Sequence, residues 1–266
     1  MKKKNLQWII ICNILGVVLF FSWYITQFSG FWFEVDKAIF YGFNQMLNTS
    51  KAFMYFVAFI NLRAFDIVAF VAMLAIFYSY YRKSNVEGKR WLFCVGVAML
   101  GIFYSYYRKS NVEGKRWLFC IGVTMLLSAI VMKQFDRLLT IDRVSASVYF
   151  EQLYHNVNFV SELSGWPSKD RSASSFPGDH GMMLLIFVAF MWKYMGKAAF
   201  YKALAVFVIF SFPRIMGGAH WFTDVFVGSL SFALIILSWI LLSPAADIVI
   251  DWLEKKVPLR YFLIKR

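Results

Sequence analysis

Long apolar stretches separated by short polar segments dominate the pattern along the chain. A helix that spans a bilayer needs about 20 mostly apolar residues, with a range of about 17–25. The candidate stretches are residues 8–28, 64–81, 91–107, 117–132, 176–192, 198–212 and 221–242, several of them short. This pattern predicts an all-α, polytopic membrane protein in which the spans form a helix bundle.

The first 62 residues hold three different apolar patterns. Residues 8–28 are too long for a signal-peptide core and no small-x-small cleavage site follows them, so we interpret them as an uncleaved anchor. Residues 33–48 place apolar side chains at helical spacing but carry too many polar groups to span, which predicts an interfacial helix. Residues 53–62 are apolar but short, and they either dip into the membrane or extend the next helix.

Composition agrees with a membrane chain. Of the 266 residues, 60% are hydrophobic and 16% are charged, whereas soluble domains have roughly 45–50% and about 25%. The net charge of +13 would suggest nucleic acid binding in a soluble protein. The basic residues, however, cluster beside apolar stretches, at 2–4, 82–90, 108–116, 193–202 and 255–266. Such clusters mark the cytoplasmic side of a membrane protein, so no nucleic acid partner is expected.

A tandem repeat complicates the number of spans. Residues 71–96 recur as 97–122 with two differences, Ala75 against Gly101 and Val95 against Ile121. A solenoid needs at least three repeats, so two near-identical copies indicate a recent duplication or an error in the recorded sequence. If residues 91–107 crossed the membrane, the two basic loops would face opposite sides. We therefore predict one domain over 1–266 with six functional spans and cytoplasmic N- and C-termini.

The candidate chemistry lies near two histidines. His180 follows Pro177, Gly178 and Asp179 and begins an apolar stretch, so it is expected at a helix N-terminus, where backbone N–H groups favour an anion such as phosphate. Gly178 would let the backbone approach that ligand closely.

The second group is Arg214, His220 and Asp224. His220 and Asp224 are four residues apart and share a helical face, so the carboxylate can hold the imidazole in one tautomer. Arg214 suits a bidentate contact with phosphate. In the six-span topology both histidine segments lie at the outer membrane face, which favours phosphoryl transfer with one histidine attacking and the other protonating the leaving group.

Each of these residues also has a simpler interpretation. A single histidine at the end of a span is often only solvated, and this is our interpretation of His155. Asp224 could be a helix N-terminal charge, and Arg214 an interfacial anchor. A zinc site would need a third ligand, which neither an H-E-x-x-H segment nor a cysteine pair provides, so no metal is expected.

Two segments resemble those of a known superfamily. Residues 177–180 (PGDH) and the spacing Arg214-x5-His220-x3-Asp224 resemble the second and third motifs of the phosphatidic acid phosphatase type 2 superfamily, usually written PSGH and SRxxxxxHxxxD. The longer stretches SFPGDHGMMLLIF and FPRIMGGAHWFTDVFVGS resemble the lipid A 1-diphosphate synthase family within it.

The resemblance implies a six-helix bundle with its site at the periplasmic face of the inner membrane. It implies transfer of the distal phosphoryl group of undecaprenyl diphosphate to the 1-phosphate of lipid A, with membrane lipids as the partners and with no cofactor or obligate protein partner. By the same resemblance, His220 forms a phosphohistidine and Asp224 orients it. His180 is the general acid, and Arg214 and the amides around Gly178 hold the phosphate.

The chain departs from the superfamily pattern at several positions. The first motif, Lys-x6-Arg-Pro, is not intact, and we assign Lys133 and Arg143 to phosphate binding in its place. Lys169 and Arg171 are weaker candidates. Asp179 could repel phosphate or steer another polar group. The loop 134–175 is expected to be periplasmic and to help select the acceptor.

Two other functions stay open from the sequence. A lipid phosphate phosphatase would use the same site with water as the acceptor. A non-catalytic transporter is the remote alternative, and it would be expected to show inverted repeats with broken helices near the bilayer midplane.

Overall fold

The computed structural model describes residues 3–26, 29–62, 112–139 and 141–256. In these ranges the chain forms helices and no strand, apart from one isolated bridge between Leu62 and Ser168, which confirms the all-α prediction for the described part. The helices are α1 Lys3–Tyr24, α2 Phe31–Thr49, α3 Lys51–Ile60, α4 Val112–Leu139, α5 Ala146–Tyr154, α6 Val160–Ser164, α7 Asp179–Met195, α8 Lys197–Met216, α9 Asp224–Leu242 and α10 Ala245–Lys256.

Three of the described helices, α1, α8 and α9, are long and apolar enough to cross a membrane. Helix α7 is shorter, at 17 residues, and α4 contains an apolar stretch over Cys120–Phe135. These helices make the chain a multi-pass membrane protein. The predicted stretches 64–81 and 91–107, with the first repeat copy and most of the second, lie outside the described residues, so six spans stay a prediction.

Helix α1 packs closely against α9. A Cβ atom at Gly16 of α1 would lie 2.7 Å from Ile235 Cγ1 and 2.9 Å from the backbone oxygen of Ser231, so only glycine permits this approach. Further along, Trp23 of α1 stacks on Phe176 with ring centroids 4.0 Å apart. Gly228 of α9 leaves room for the same Phe176 ring. This packing anchors the segment that leads into α7.

Helix α2 covers one side of the site. The sequence predicted an interfacial helix over 33–48, and the helix is present with a single buried face made of Asp36, Phe40, Asn44 and Leu47. Phe40 packs in an aromatic cluster with Phe150 and Trp221. Two residues of this buried face, Asp36 and Asn44, are polar. Asp36 contacts the residues around the candidate active site.

Candidate active site

A tight turn between α8 and α9 positions His220. Gly218 has a φ of 76°, and a Cβ atom there would lie 2.9 Å from Phe40 and 3.0 Å from Ser147. The residue must therefore be glycine both for its backbone conformation and for space. The turn is closed by the His220 N–H, which donates to the carbonyl oxygen of Arg214 at 3.1 Å.

The imidazole of His220 has a defined tautomer. Its Nδ1 lies 2.9 Å from the carbonyl oxygen of Ser175 and 3.5 Å from Oδ2 of Asp224. Because a carbonyl oxygen only accepts hydrogen bonds, Nδ1 carries the proton and donates it to Ser175. The lone pair then belongs to Nε2, which is the form required of a nucleophile.

Asp224 is fully buried at the start of α9. Its Oδ2 accepts a hydrogen bond from the Trp221 N–H at 2.8 Å, and its Oδ1 accepts one from Arg143 Nη1 at 2.7 Å. Oδ2 thus caps the turn and also faces Nδ1 of His220, while Oδ1 is held by Arg143. This placement supports the predicted orienting role of Asp224, with the Ser175 carbonyl as a closer partner.

Arg143 is not placed as predicted. Its side chain is 1% exposed, and its guanidinium bridges Asp224 and Asp36, with Nη2 2.9 Å from Oδ2 of Asp36. The guanidinium also lies 4.1 Å from the ring centroid of Trp221. A group enclosed in this way has no surface left for a lipid phosphate. The predicted phosphate contact is therefore corrected to an internal one, with Arg143 supporting Asp224.

Asp36 completes this buried cluster. Its two oxygens accept hydrogen bonds from the Thr223 N–H at 2.9 Å, from the Thr223 hydroxyl and from Arg143. Burial raises the pKa of the Asp36 carboxyl above its ordinary value, and the Arg143 charge and the hydrogen bonds from Thr223 and Arg143 offset this only in part. Against that effect, three donors directed at the two oxygens, one of them the charged Arg143, favour the carboxylate form.

Both predicted catalytic histidines line one cleft. Its volume is about 480 Å³, and its lining is Lys133, Ile141, Asp142, Ser172, Ser174, Phe176, Pro177, Asp179, His180 and His220. The lining comes from α4, the segment between α4 and α5, the segment before α7 with its first turn, and the turn between α8 and α9, so loop 134–175 contributes to the site. His180 is exposed within this cleft, and His220 is mostly covered.

The N-termini of α7 and α9 pack against each other, which brings the histidines together. The Gly178 N–H donates to the Asp224 carbonyl at 3.0 Å, and the Ser229 hydroxyl donates to the Gly178 carbonyl at 2.8 Å. Gly181 lies against Ser229 and Val225, where a Cβ would be 2.7 Å from the hydroxyl oxygen. The sequence predicts that the amides around Gly178 hold phosphate; the N–H of Gly178 itself is already bound within the protein, so such a contact would fall to the neighbouring amides. Gly178 instead allows the close approach.

The first turn of α7 lines the cleft with Asp179 and His180, so phosphate binding at this helix N-terminus stays a prediction. The first backbone hydrogen bond of α7 runs from the Met182 N–H to the Gly178 carbonyl. The N–H groups of the helix residues before Met182 therefore lie outside the hydrogen-bond ladder of the helix. Their dipoles and the cleft-lining Lys133 favour phosphate beside His180. Lys133 Nζ lies 2.7 Å from Oδ1 of Asp179, so Asp179 steers this cation in the structure.

The other predicted cations lie elsewhere. Arg214 is buried at the end of α8, and the described lining of the cleft does not include it, so a phosphate contact there stays a prediction. Arg171 pairs with Glu162 and lies over the Phe159 ring in a separate groove. The backbone N–H of Lys169 donates a hydrogen bond to the carbonyl oxygen of Asn61. His155 is exposed and ends α5, in agreement with a solvated residue.

Sequence reasoning missed Asp36, Thr223 and Ser175. Asp36 had a signal, since it lies on the same helical face as Phe40 in an amphipathic segment. Thr223 and Ser175 had none, because their roles depend on backbone and hydroxyl contacts to distant segments. Within the described ranges, there is no group of three or more histidine, cysteine or acidic residues that could hold a metal ion.

The chain is similar to a known protein family over the region that forms the cleft. Residues 117–246 match the PAP2 superfamily, a region that contains the described cleft. The chain is 46% identical over 256 residues to the lipid A 1-diphosphate synthase of Escherichia coli (strain K12), and the match covers 96% of this chain and 95% of that relative. No solved structure matches the chain.

Proposed function

The chain belongs to the PAP2 superfamily, within the family of the lipid A 1-diphosphate synthase, and from this premise we propose that it transfers a phosphoryl group between two membrane lipids. The donor is undecaprenyl diphosphate and the acceptor is the 1-phosphate of lipid A. The observation that carries the proposal is the single cleft lined by His180 and His220, with Nδ1 of His220 protonated and Nε2 available.

The first step forms a phosphohistidine. The Nε2 lone pair of His220 attacks the distal phosphorus of the donor, and a P–N bond forms as the P–O bond to the bridging oxygen breaks. The electron pair leaves with that oxygen, which takes a proton from His180, giving undecaprenyl phosphate. Lys133 and the first-turn amides of α7 balance the charge on the transferring oxygens.

The second step regenerates the enzyme. An oxygen of the lipid A 1-phosphate attacks the phosphohistidine, and His180 takes up any proton that this oxygen carries. The new P–O bond forms as the P–N bond breaks, and the electron pair returns to Nε2 of His220. The products are lipid A 1-diphosphate and free enzyme. The two steps use His180 as acid and then as base.

The proposal includes a place for the reaction. Six spans with cytoplasmic termini put the cleft at the periplasmic face of the inner membrane, where the headgroups of both lipids can reach it. The basic clusters beside the apolar stretches support this orientation.

Purified protein incubated with undecaprenyl diphosphate labelled in its distal phosphate, and with lipid A, tests the proposal. Label is expected in lipid A and, transiently, on the protein in an acid-labile form. Replacing the nucleophile, His220→Ala, should reduce transfer by roughly 10³-fold or more. His155→Ala is the matched control, because this histidine is exposed and does not line the cleft.

Two results would overturn the proposal. Label released only as inorganic phosphate would identify a phosphatase that uses the same histidines. Unchanged transfer by the His220→Ala variant would reject the nucleophile. Equal loss in the His155→Ala variant would show that the assay does not report on the cleft.

A further inference from the structure

Behind His220 lies a buried cluster of charges that the proposed reaction does not use directly. Asp36, Arg143 and Asp224 have side-chain exposures of 0%, 1% and 0%. Arg143 lies between the two carboxylates, with Nη1 on Asp224 and Nη2 on Asp36. Asp36 comes from α2, which is remote in sequence from the histidine it serves.

The charges of this cluster do not cancel. Two carboxylates and one guanidinium give a net charge of −1, and charges this deeply buried are weakly screened. His220 is an ionisable group in contact with the cluster, with Nδ1 3.5 Å from Oδ2 of Asp224. A buried cluster of net charge −1 is stabilised by a positive charge at that ring.

The proposed reaction creates such a charge. When Nε2 of His220 bonds to phosphorus while Nδ1 keeps its proton, the ring becomes cationic. Asp224 alone, fully paired with Arg143, would form a neutral pair. Asp36 supplies the second negative charge, because it neutralises Arg143 from the other side.

We propose that Asp36 is a positioning residue for catalysis: through Arg143 and Asp224 it holds a net negative charge behind His220 and so stabilises the cationic phosphohistidine. This inference rests on the proposed function. Thr223 fixes the geometry, because its hydroxyl accepts a hydrogen bond from Arg143 at 2.9 Å and donates one to Asp36. Asp36 does not itself contact substrate.

In the described ranges, four other charged or titratable side chains line the cleft with His220. They are Lys133 on α4, Asp142 in the following segment, and Asp179 and His180 on α7. All four stay unchanged in the variants below. A difference between variants therefore reports on the buried cluster.

The test compares pH–rate profiles of phosphoenzyme formation. In Asp36→Asn the cluster becomes neutral and no longer stabilises a positive charge beside it. The acid limb of the profile should therefore lie at a pH lower by about one unit. kcat should fall by roughly tenfold, as expected from the same charge. KM for the donor should stay within about twofold, because Asp36 does not line the cleft and so does not contact the bound donor.

A double variant separates charge from structure. In Asp36→Asn with Arg143→Gln the net charge returns to −1, so the acid limb should return toward its wild-type position. The double variant leaves Asp224 without its buried cation, so its midpoint of thermal unfolding in detergent is measured before its pH–rate profile is compared. Thr223→Val is the matched control, since it removes the hydrogen bonds that the Thr223 hydroxyl makes with Asp36 and Arg143 and leaves the charge at −1.

The outcomes are distinct. A lower kcat with an unmoved acid limb, an equal displacement in Thr223→Val, or a double variant displaced further than the single one would each overturn the inference. A wild-type protein that transfers no phosphoryl group would instead reject the proposed function, and this result is seen before any variant is made.

Discussion

The ion pair between Lys133 and Asp179 lies inside the cleft where a phosphate must bind. Their charged atoms are 2.7 Å apart, and the side chains are 44% and 58% exposed. A phosphate group entering beside His180 must compete with the Asp179 carboxylate for this cation. Replacing it, Asp179→Asn, should lower KM for the donor by about two- to fivefold, the range of an exposed ion pair of up to about 1 kcal/mol. Initial rates at varied donor concentration measure it.

Asp142→Asn is the control for that experiment. Asp142 lines the same cleft, so its replacement removes the same charge without removing the ion pair. If both variants lower KM equally, only the general field of the cleft matters. If Asp179→Asn raises KM, the carboxylate contributes to binding and the competition argument is wrong.

Residue spacing singled out two histidines that line one cleft, but it gave little indication of the residues that contact His220. His180 and His220 were found because a helix N-terminus and a four-residue spacing are local patterns. The misplacement of Arg143 has a physical cause: a buried arginine and a phosphate-binding arginine have the same sequence signature until their partners are known. Its partners here, Asp36 and Asp224, are 107 and 81 residues away.

At the scale of elements, the contact of α1 with α9 depends on one glycine. Small residues let membrane helices approach closely, and a Cβ at Gly16 would lie 2.9 Å from the Ser231 backbone oxygen, which cannot rotate away. Gly16→Ala should therefore cost about 1–3 kcal/mol as overpacking. The midpoint of thermal unfolding in detergent should fall.

Gly42→Ala is the control for Gly16→Ala, and it is expected to raise the stability of the protein. Gly42 is also helical, lies in α2, and has nothing within 4 Å of its Cβ position. Alanine there should stabilise by about 0.5–1 kcal/mol through the backbone entropy of glycine. A stabilising Gly16→Ala, or equal effects at both positions, would contradict the packing described.

Helix α2 shows which features the hydrophobic periodicity of the sequence predicts and which it does not. The pattern over 33–48 correctly predicted a helix with one apolar face, and the boundaries differ by only a few residues from Phe31–Thr49. We did not predict that Asp36 and Asn44 lie on the buried face, although each is four residues from Phe40, because an amphipathic pattern counts polar residues as outward. Nor did it predict the π-helical segments Asp224–Ser229 and Ala233–Leu237, since these backbone adjustments depend on packing.

At the scale of the whole molecule, the repeat and helix α4 share residues. Helix α4 begins at Val112, inside the second copy, and residues 86–96 of the first copy repeat 112–122 with Val95 in place of Ile121. Either copy can therefore supply the start of this helix when the other is removed. Ile121 is fully buried, so the two shortened chains differ at a core position.

Deleting 97–122 or 71–96 should leave both activity and topology intact. If the extra copy adds no membrane crossing, a reporter fused to the C-terminus stays cytoplasmic in the full chain and in both deletions. The chain without 97–122 should be the less stable by about 0.5–1.5 kcal/mol, because Val95 then replaces Ile121. Thermal unfolding in detergent measures the difference. A C-terminal reporter that changes sides on deletion would show that the copy spans the membrane and that the six-span topology is wrong.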